Sequence, residues 1–242
     1  MNPETKDIEI SAIDAMIDKP YSFMVDNINL CLYHQSLGKS KLISRLYTEL
    51  GLNLETVALN PFVEYLRICK EHRNIVLRIL AYNTLQSKEE IFNETTVKER
   101  IQLLTKLDES ELAELMMLSV TMDNMSLFAK HLGITEESDR LHVISTIKSS
   151  NSSTITIGGV SEYGGLIAKA CESFGWTYDY VVWGISLNNL YLLLKDMVVS
   201  VLLTDEEKKK IPRSFLPKES HDEKIDMNNP DSWAEIMKMK YD

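Results

Sequence analysis

The stretch FGWTYDYVVWGISLNNLYLLLKD, from Phe174 to Asp196, constrains the fold of this chain more than any other. It places two of the three tryptophans, three tyrosines and a run of leucines within 23 residues. After Ser186, helical spacing puts large apolar residues on almost every side: Leu187, Leu190, Tyr191, Leu193, Leu194, Met197, Val198 and Val201. A helix that is apolar all round is buried, so the stretch predicts a central helix with a bulky aromatic layer packed over it.

Two interpretations of these aromatic residues stay open. In the first, Trp176, Tyr180 and Trp183 form the layer over the central helix. In the second, the edge of this core is a groove for a protein partner, and the candidate partner-binding residues are Trp176, Tyr180, Trp183 and Tyr191. A nucleic-acid platform is disfavoured, because such aromatic residues are interleaved with Lys and Arg, whereas Lys195 is the only basic residue of the stretch.

Composition limits the class of protein. The chain has 242 residues, of which 44% are apolar and 26% are charged, so it can bury enough surface to fold. Its net charge of −10 and its pI near 5.1 disfavour a nucleic-acid partner, since binding to phosphates requires clustered Lys and Arg.

No membrane segment or secretion signal is predicted. The start, MNPETKDIEISAIDAMIDKP, has acidic residues where a signal peptide has a basic region and an apolar core. The most apolar window, Tyr178 to Leu203, is interrupted by Asp179, Lys195 and Asp196, and charges are costly at bilayer depth. We therefore expect a cytoplasmic protein with no membrane partner.

The periodicity predicts a mainly α fold: a multi-helix domain with an N-terminal β-hairpin and a short strand near residues 154–157. The hairpin comprises Pro20 to Val25 and Asn29 to Leu37, with Asp26-Asn27 as the turn. Turn and cap signals then bound a series of helices, with a capping box from Asp108 to Glu111 and N-cap candidates at Asn60, Ser161, Thr177 and Ser186. These helices are predicted over Leu42 to Leu50, Pro61 toward Leu85, Val97 to Leu107, and Asp108 to Leu132. The polar segment Lys70 to Asn74 either faces solvent or breaks the second of them.

Three regions are predicted along the chain. Residues 1–150 form the hairpin and helical region, residues 151–204 form a C-terminal helical region packed on it, and residues 205–242 form a polar, partly disordered tail. The boundary is the polar linker Ser149 to Ser153. Within the tail, Ile211 to Pro230 is expected to be extended or disordered, and Asp231 to Met239 is a possible last helix around Trp233.

No motif predicts a catalytic, cofactor-binding or metal-binding residue. The GKS triplet at Gly38 to Ser40 resembles part of a phosphate-binding loop, but Tyr33 stands where the second glycine is needed. Ser161 lacks the second glycine of an esterase elbow. No two histidines have the spacing of a zinc site, and the three cysteines are far apart in the sequence. The sequence therefore predicts a protein that is not an enzyme and has no cofactor, with three free cysteines packed as small apolar residues.

The methionines allow two roles. Met116, Met117, Met122 and Met125 are clustered in sequence. They fill gaps in a core, or they line a surface that adapts to a partner.

The block quoted above, preceded by a hairpin and a set of helices, resembles the tail assembly chaperones of long-tailed bacteriophages. The similarity is clearest over Cys171 to Asp196 and weaker over Pro20 to Leu52. Proteins of that family are small, mostly α-helical and non-catalytic. They coat the tape-measure protein in the host cytoplasm until tail-tube subunits polymerise around it.

The resemblance implies a bacteriophage tail assembly protein that binds a helical partner, such as the tape-measure or tail-tube protein, in the host cytoplasm. One alternative is a structural virion or tail-connector protein, which would be found in mature particles. A second alternative is an enzyme or regulator of unknown chemistry. That class would be indicated by a deep pocket with converging polar groups and titratable residues of shifted pKa.

Overall fold

A computed structural model describes residues 3–123, 125–151, 161–197 and 201–215. The chain is mainly α-helical, as predicted, and carries a two-stranded antiparallel sheet near its N-terminus. It divides into two compact units, one formed by Met1–Ser138 and Thr156–Val199 and the other by Asp139–Ile155 and Ser200–Asp242. Within the described ranges, no helix has the length and apolar character needed to cross a membrane.

The elements follow in chain order. The first are α1 (Pro3–Met16), β1 (Tyr21–Val25), β2 (Ile28–Leu32), α2 (Leu37–Glu49), α3 (Leu54–Leu59), α4 (Pro61–Glu71), α5 (Arg73–Asn83), α6 (Lys88–Phe92) and α7 (Glu94–Leu104). The others are α8 (Glu109–Thr121), α9 (Met125–His131), α10 (Ile134–Asn151), α11 (Glu162–Phe174), a π-helical turn (Tyr180–Gly184), α12 (Leu187–Lys195), α13 (Asp205–Lys210) and a 3-10 turn (Arg213–Phe215).

The predicted hairpin is confirmed. Tyr21 pairs with Leu32 and Val25 pairs with Ile28. The turn residues Asp26 and Asn27 both have positive φ, at 46° and 62°, as a tight two-residue hairpin turn requires. The second strand ends at Leu32, however, so the prediction that it continues to Leu37 is wrong.

Cap signals place several helix ends correctly. The Asn60 side chain accepts a hydrogen bond from the Val63 backbone N–H, and Pro61 is the first residue of α4. Asp108 and Glu111 form the predicted capping box at the start of α8, because each side chain accepts from the other's backbone N–H at 2.9 Å. These side chains satisfy N–H groups that have no partner inside the helix.

Two predicted helical runs each form two helices. The apolar run toward Leu85 forms two helices, because the backbone at His72 leaves the helical region and α5 begins at Arg73. The predicted helix from Asp108 to Leu132 is wrong as a single element, because α8 ends at Thr121 and α9 begins at Met125. The helix α1 was not predicted.

The core of the first unit is formed mainly by the hairpin and the helices from α2 to α8. Tyr65, Ile68, Leu80, Leu112 and Met116 are among its buried residues. Of the two roles predicted for the methionines, Met116 has the first: it is fully buried and fills the core. Among the cysteines, which are all free, Cys69 is fully buried and the other two are half-buried.

The helix α12 belongs to a second apolar cluster of this unit. Leu190 of α12 is fully buried and groups with Leu37, Ala170, Val181 and Ile185. The prediction that α12 is buried on almost every side is wrong, because Leu193 is 43% exposed and the helix ends at Lys195. The helix is thus central on one face and open to solvent on the other.

The second unit contains a capped helix that the sequence analysis assigned to the polar tail. Thr204 and Glu207 form a capping box at the start of α13, and Lys148 donates to Oε2 of Glu207 at 3.4 Å. A 3-10 turn spans Arg213–Phe215, so the prediction of an extended or disordered segment from Ile211 to Pro230 is wrong for these three residues. The predicted strand at 154–157 and the predicted helix at 231–239 lie outside the described residues.

Candidate functional site

Two helices of the first unit begin side by side. Ser36 caps α2 by accepting from the Lys39 N–H at 3.4 Å, and Ser186 caps α12 by accepting from the Asn189 N–H at 3.3 Å. The two serines form an antiparallel bridge pair, and the Leu187 N–H donates to the carbonyl of Gln35 at 2.7 Å. This bridge holds two helix N-termini together, although 150 residues of sequence separate the two caps.

The ring of Trp183 covers the first turn of α2. A Cβ built on Gly38 would lie 2.8 Å from carbon atoms of the indole, so only glycine allows this approach. The indole also contacts the ring of Phe92 edge to face, with 5.4 Å between ring centroids and 74° between ring planes. Trp183 of the π-helical turn therefore packs against both α2 and α6.

A polar cluster lies beside the two helix starts, and Asp123 is at its centre. One carboxylate oxygen, Oδ1, lies 2.8 Å from Nδ1 of His34 and accepts from the side-chain amide of Asn188 at 3.0 Å. The other oxygen, Oδ2, accepts from the backbone N–H of Gln35 at 3.3 Å. The side-chain amide of Gln35 donates to Oδ1 of Asn83 at 3.1 Å. These bonds connect four parts of the chain: the segment after β2, the end of α5, the residues that follow α8, and the first turn of α12.

The imidazole of His34 is almost fully buried and its pKa is shifted. Burial opposes its protonation, but the hydrogen bond to Asp123 and the charge of that carboxylate outweigh burial and raise the pKa of His34 above 6.5. The protonated imidazole with the Asp123 carboxylate is a charged hydrogen-bonded pair, which is stronger than a neutral one.

Lys39 is the most unusual residue of the site. Only 1% of its surface is exposed. Within the described residues, no hydrogen bond or ion pair reaches its ammonium group, which lies 5.9 Å from the ring centroid of Tyr33. Burial lowers the pKa of Lys39 to about 8, despite the opposing charges of Asp123 and Glu90.

A groove of about 690 Å³ opens between α2 and α12. From α2 it is lined by Ser40, Ile43, Ser44 and Tyr47, and from α12 by Leu187, Asn188, Tyr191 and Lys195. The exposed Lys130 and Lys195 add positive charge to its lining. We refer to this space below as the groove.

Tyr47 gives the groove a polar group inside its apolar wall. Its hydroxyl is buried and interacts with the Ser119 side chain, but no hydrogen bond of good geometry reaches it among the described residues. Burial raises the pKa of this hydroxyl. The nearby Ser119 hydroxyl donates to the carbonyl of Met116 at 2.8 Å. A ligand or partner with a polar atom at this depth would satisfy the Tyr47 hydroxyl.

The four predicted partner-binding residues lie in different surroundings. Trp176 is half-buried, with ring centroids 4.5 Å from Phe174 and 5.2 Å from Tyr180. Tyr180 is 44% exposed, Trp183 packs against the main core, and Tyr191 lines the groove. Only Tyr191 of the four is a groove residue.

The polar cluster and the burial of Lys39 were not predicted from the sequence. One signal was available for Lys39, because it lies three and four residues before Leu42 and Ile43 and so falls on the apolar face of α2. His34, Asp123 and Asn188 carried no such signal, since their partners lie on distant parts of the chain. The pairing of His34 with Asp123 spans 89 residues.

Comparison of the chain with family models, curated proteins and solved structures found no match.

Proposed function

We propose that this chain is a non-catalytic assembly protein whose groove binds one face of a helix of a partner protein. The groove between α2 and α12 is the observation that supports this role. On the resemblance described above, the proposed partner is the tape-measure protein of a long-tailed bacteriophage, and the proposed place of action is the host cytoplasm.

The shape and spacing of the groove suit a helix. The α2 residues that line it follow the i, i+3, i+4, i+7 pattern, so one continuous face of α2 forms a wall. Amphipathic helices bind in such grooves through a few apolar anchor residues at the same spacing. The exposed Val120 and the half-buried Leu187 and Tyr191 would receive those anchors.

Charge further defines the partner. The chain as a whole has a net charge of −10, but Lys130 and Lys195 both line the groove. Asp123 also lines it, and its carboxylate is already paired with His34. Opposite charges beside an interface raise the rate of association and disfavour wrong partners. The proposed helix therefore has acidic residues beside its apolar face.

The test is co-expression of the chain with the tape-measure product of the same genome, followed by affinity capture and measurement of the dissociation constant. Ser44→Trp fills the groove from α2 and should weaken binding about tenfold or more, because a bulky ring there displaces an anchor residue. Thr48→Trp is the matched control, since Thr48 is also an exposed residue of α2 but does not line the groove. Equal binding by both variants, or no binding by the natural chain, would refute the proposal.

A structural virion or tail-connector protein is the alternative within the same setting. Mass spectrometry of purified mature particles separates the two roles, because an assembly chaperone leaves before the particle is complete and a connector stays.

A second candidate function is an enzyme or regulator that binds a small ligand. One observation favours it: Asp123 of the polar cluster lines the groove, while its partner His34 and Lys39, whose pKa values are shifted, line a second, smaller cavity. A small-molecule ligand that competes with the tape-measure helix for the groove, or that binds in the absence of any helix binding, would favour this candidate.

A further inference from the structure

We propose that the cavity at the paired starts of α2 and α12 binds a small oxyanion, a carboxylate or a phosphate, with the ammonium group of Lys39 as its counter-charge. This cavity is separate from the groove, so the inference does not depend on the proposed function.

The cavity has a volume of about 70 Å³. A water molecule occupies about 30 Å³ of liquid, so the space suits a group of a few heavy atoms. Tyr33, Ser36, Lys39, Trp183 and Ser186 are among its lining residues. Hydroxyl, ammonium and indole groups thus surround a space of the size of a small oxyanion.

The two helix starts provide the first argument for an anion. Ser36 and Ser186, which cap α2 and α12, both line the cavity and are paired with each other. The N-terminus of a helix carries a partial positive charge. The N–H groups of Lys39, Leu187 and Asn189 already bond to Ser36, Gln35 and Ser186, so the helix dipoles are the main contribution of these two ends. Two such ends meet here, and helix N-termini are common binding places for phosphate and carboxylate groups.

Lys39 provides the second and independent argument. Lys39 is fully buried, lines the cavity and has neither an ion pair nor a hydrogen bond at its ammonium group within the described residues. A buried ammonium group without an ion-pair partner is unfavourable. The charges of Asp123 and Glu90 offset its burial only in part, so the pKa of Lys39 is lowered. An anion in the cavity would supply a direct ion-pair partner.

The other titratable groups around the cavity limit the charge of the ligand. Asp18 lines the cavity and accepts from the side-chain amide of Asn189 at 3.1 Å. His34 also lines it, with its charge balanced by Asp123, and the charge of Glu90 acts on Lys39 from outside the lining. Because the Asp18 carboxylate repels anions, we expect a ligand with a single negative charge. This ligand is a carboxylate, or phosphate in its H2PO4⁻ form rather than its HPO4²⁻ form.

The experiment uses the whole natural chain without any partner. Sodium acetate and sodium phosphate are titrated at constant ionic strength against sodium chloride, and both the melting temperature and the tryptophan fluorescence are followed, since Trp183 lines the cavity. We expect a saturable rise in melting temperature with at least one of the two oxyanions. Acetate alone would assign the site to carboxylates, and phosphate alone to phosphates.

Two variants of equal charge change test the role of Lys39. Lys39→Met should weaken binding about tenfold or more, because a charge-assisted hydrogen bond is lost. Lys41→Met, two residues along α2, should bind as the natural chain does, because Lys41 lies outside the cavity and contacts Tyr163. Binding by the natural chain should also weaken as the pH rises through about 8, where Lys39 loses its proton.

Three results would overturn the proposal. They are the lack of any saturable effect of either oxyanion, equal binding by the Lys39→Met variant, and binding that does not change through pH 8. The last measurement needs no variant, so the proposal stays testable if Lys39→Met does not fold. Because no tape-measure protein is present, failure here leaves the helix-binding proposal unaffected.

Discussion

A Cβ atom added to Gly38 would lie 2.8 Å from three carbon atoms of the Trp183 indole. The first turn of α2 and the π-helical turn are therefore in direct backbone-to-ring contact, although 145 residues separate them in the sequence. This contact explains the glycine of the GKS triplet: it provides room for a ring, and no phosphate-binding loop is needed to account for it.

Gly38→Ala should lower the free energy of unfolding by about 1 kcal/mol. Alanine gains up to about 1 kcal/mol over glycine in a helix, but overpacking a filled site costs about 1 to 3 kcal/mol. Urea unfolding measures the difference. Gly165→Ala in α11 is the control, because nothing lies within 4 Å of its added Cβ, and it should stabilise the chain. A stabilised Gly38→Ala variant would contradict the contact.

Trp183→Ala should lower the free energy of unfolding by about 3 kcal/mol, the low end for removal of a large aromatic side chain from a core. The ring is half-buried, packs against the main core and meets Phe92 edge to face. Tyr180→Ala should cost less, since Tyr180 is 44% exposed. Chemical denaturation of both variants tests the order, and a loss below about 1 kcal/mol for Trp183→Ala would argue against a core role for this ring.

Lys39→Met should raise the free energy of unfolding at neutral pH in buffers without oxyanions. The folded pKa of about 8 lies below the ordinary value of 10.5, so the buried charge destabilises the fold fully below pH 8. The cost is on the order of 3 kcal/mol. It disappears as the pH rises from about 8 to above 10.5, so the advantage of the methionine variant should shrink over that range. A pH series of unfolding curves tests this, and a destabilised variant at pH 7 would contradict it.

Asp123→Asn should remove a pH dependence that comes from His34. Because the pKa of His34 is raised in the fold, its pairing stabilises the protein fully below the unfolded value near 6.5, and this contribution is lost as the pH rises through the folded value. The natural chain should therefore lose stability over this range, and the variant should lose less.

Asp123→Asn should also cost about 1 to 3 kcal/mol at pH 6, because the buried imidazole loses a charged partner. Unfolding curves collected from about pH 6 to 8 measure both effects, since histidine titrates in that range. Replacing Asp205, an exposed acid of α13, with Asn is the control and should leave the slope unchanged. Parallel pH slopes for the natural chain and Asp123→Asn would refute the role of the pair.

Local signals in the sequence were sufficient for the hairpin and for several helix ends. The turn at Asp26-Asn27, the cap at Asn60 and the capping box at Asp108 each satisfy their backbone groups within a few residues. The caps predicted at Ser161 and Ser186 are also present. These features follow from the sequence because their energies depend on neighbours in the chain.

Tertiary structure decided the breaks within long apolar runs. The apolar pattern of residues 108–132 is continuous, yet the run forms two helices. In residues 62–85 the sequence left two outcomes open for the polar segment Lys70 to Asn74, and the structure shows that it breaks the helix. Packing of a helix face against the core outweighs the small propensity differences that periodicity can detect. The tertiary structure also decided which predicted partner-binding residues line the groove. Of the four, Tyr191 alone does.

The sequence by itself thus determined a mainly helical chain, its hairpin and several of its caps. Only the tertiary structure decided which face of α12 is buried, that α2 and α12 begin side by side, that Asp123 meets His34, and that Lys39 is buried without an ion-pair partner among the described residues. Turns and caps are satisfied locally, whereas these contacts join residues far apart in the chain, and they exist only because the whole core brings the segments together.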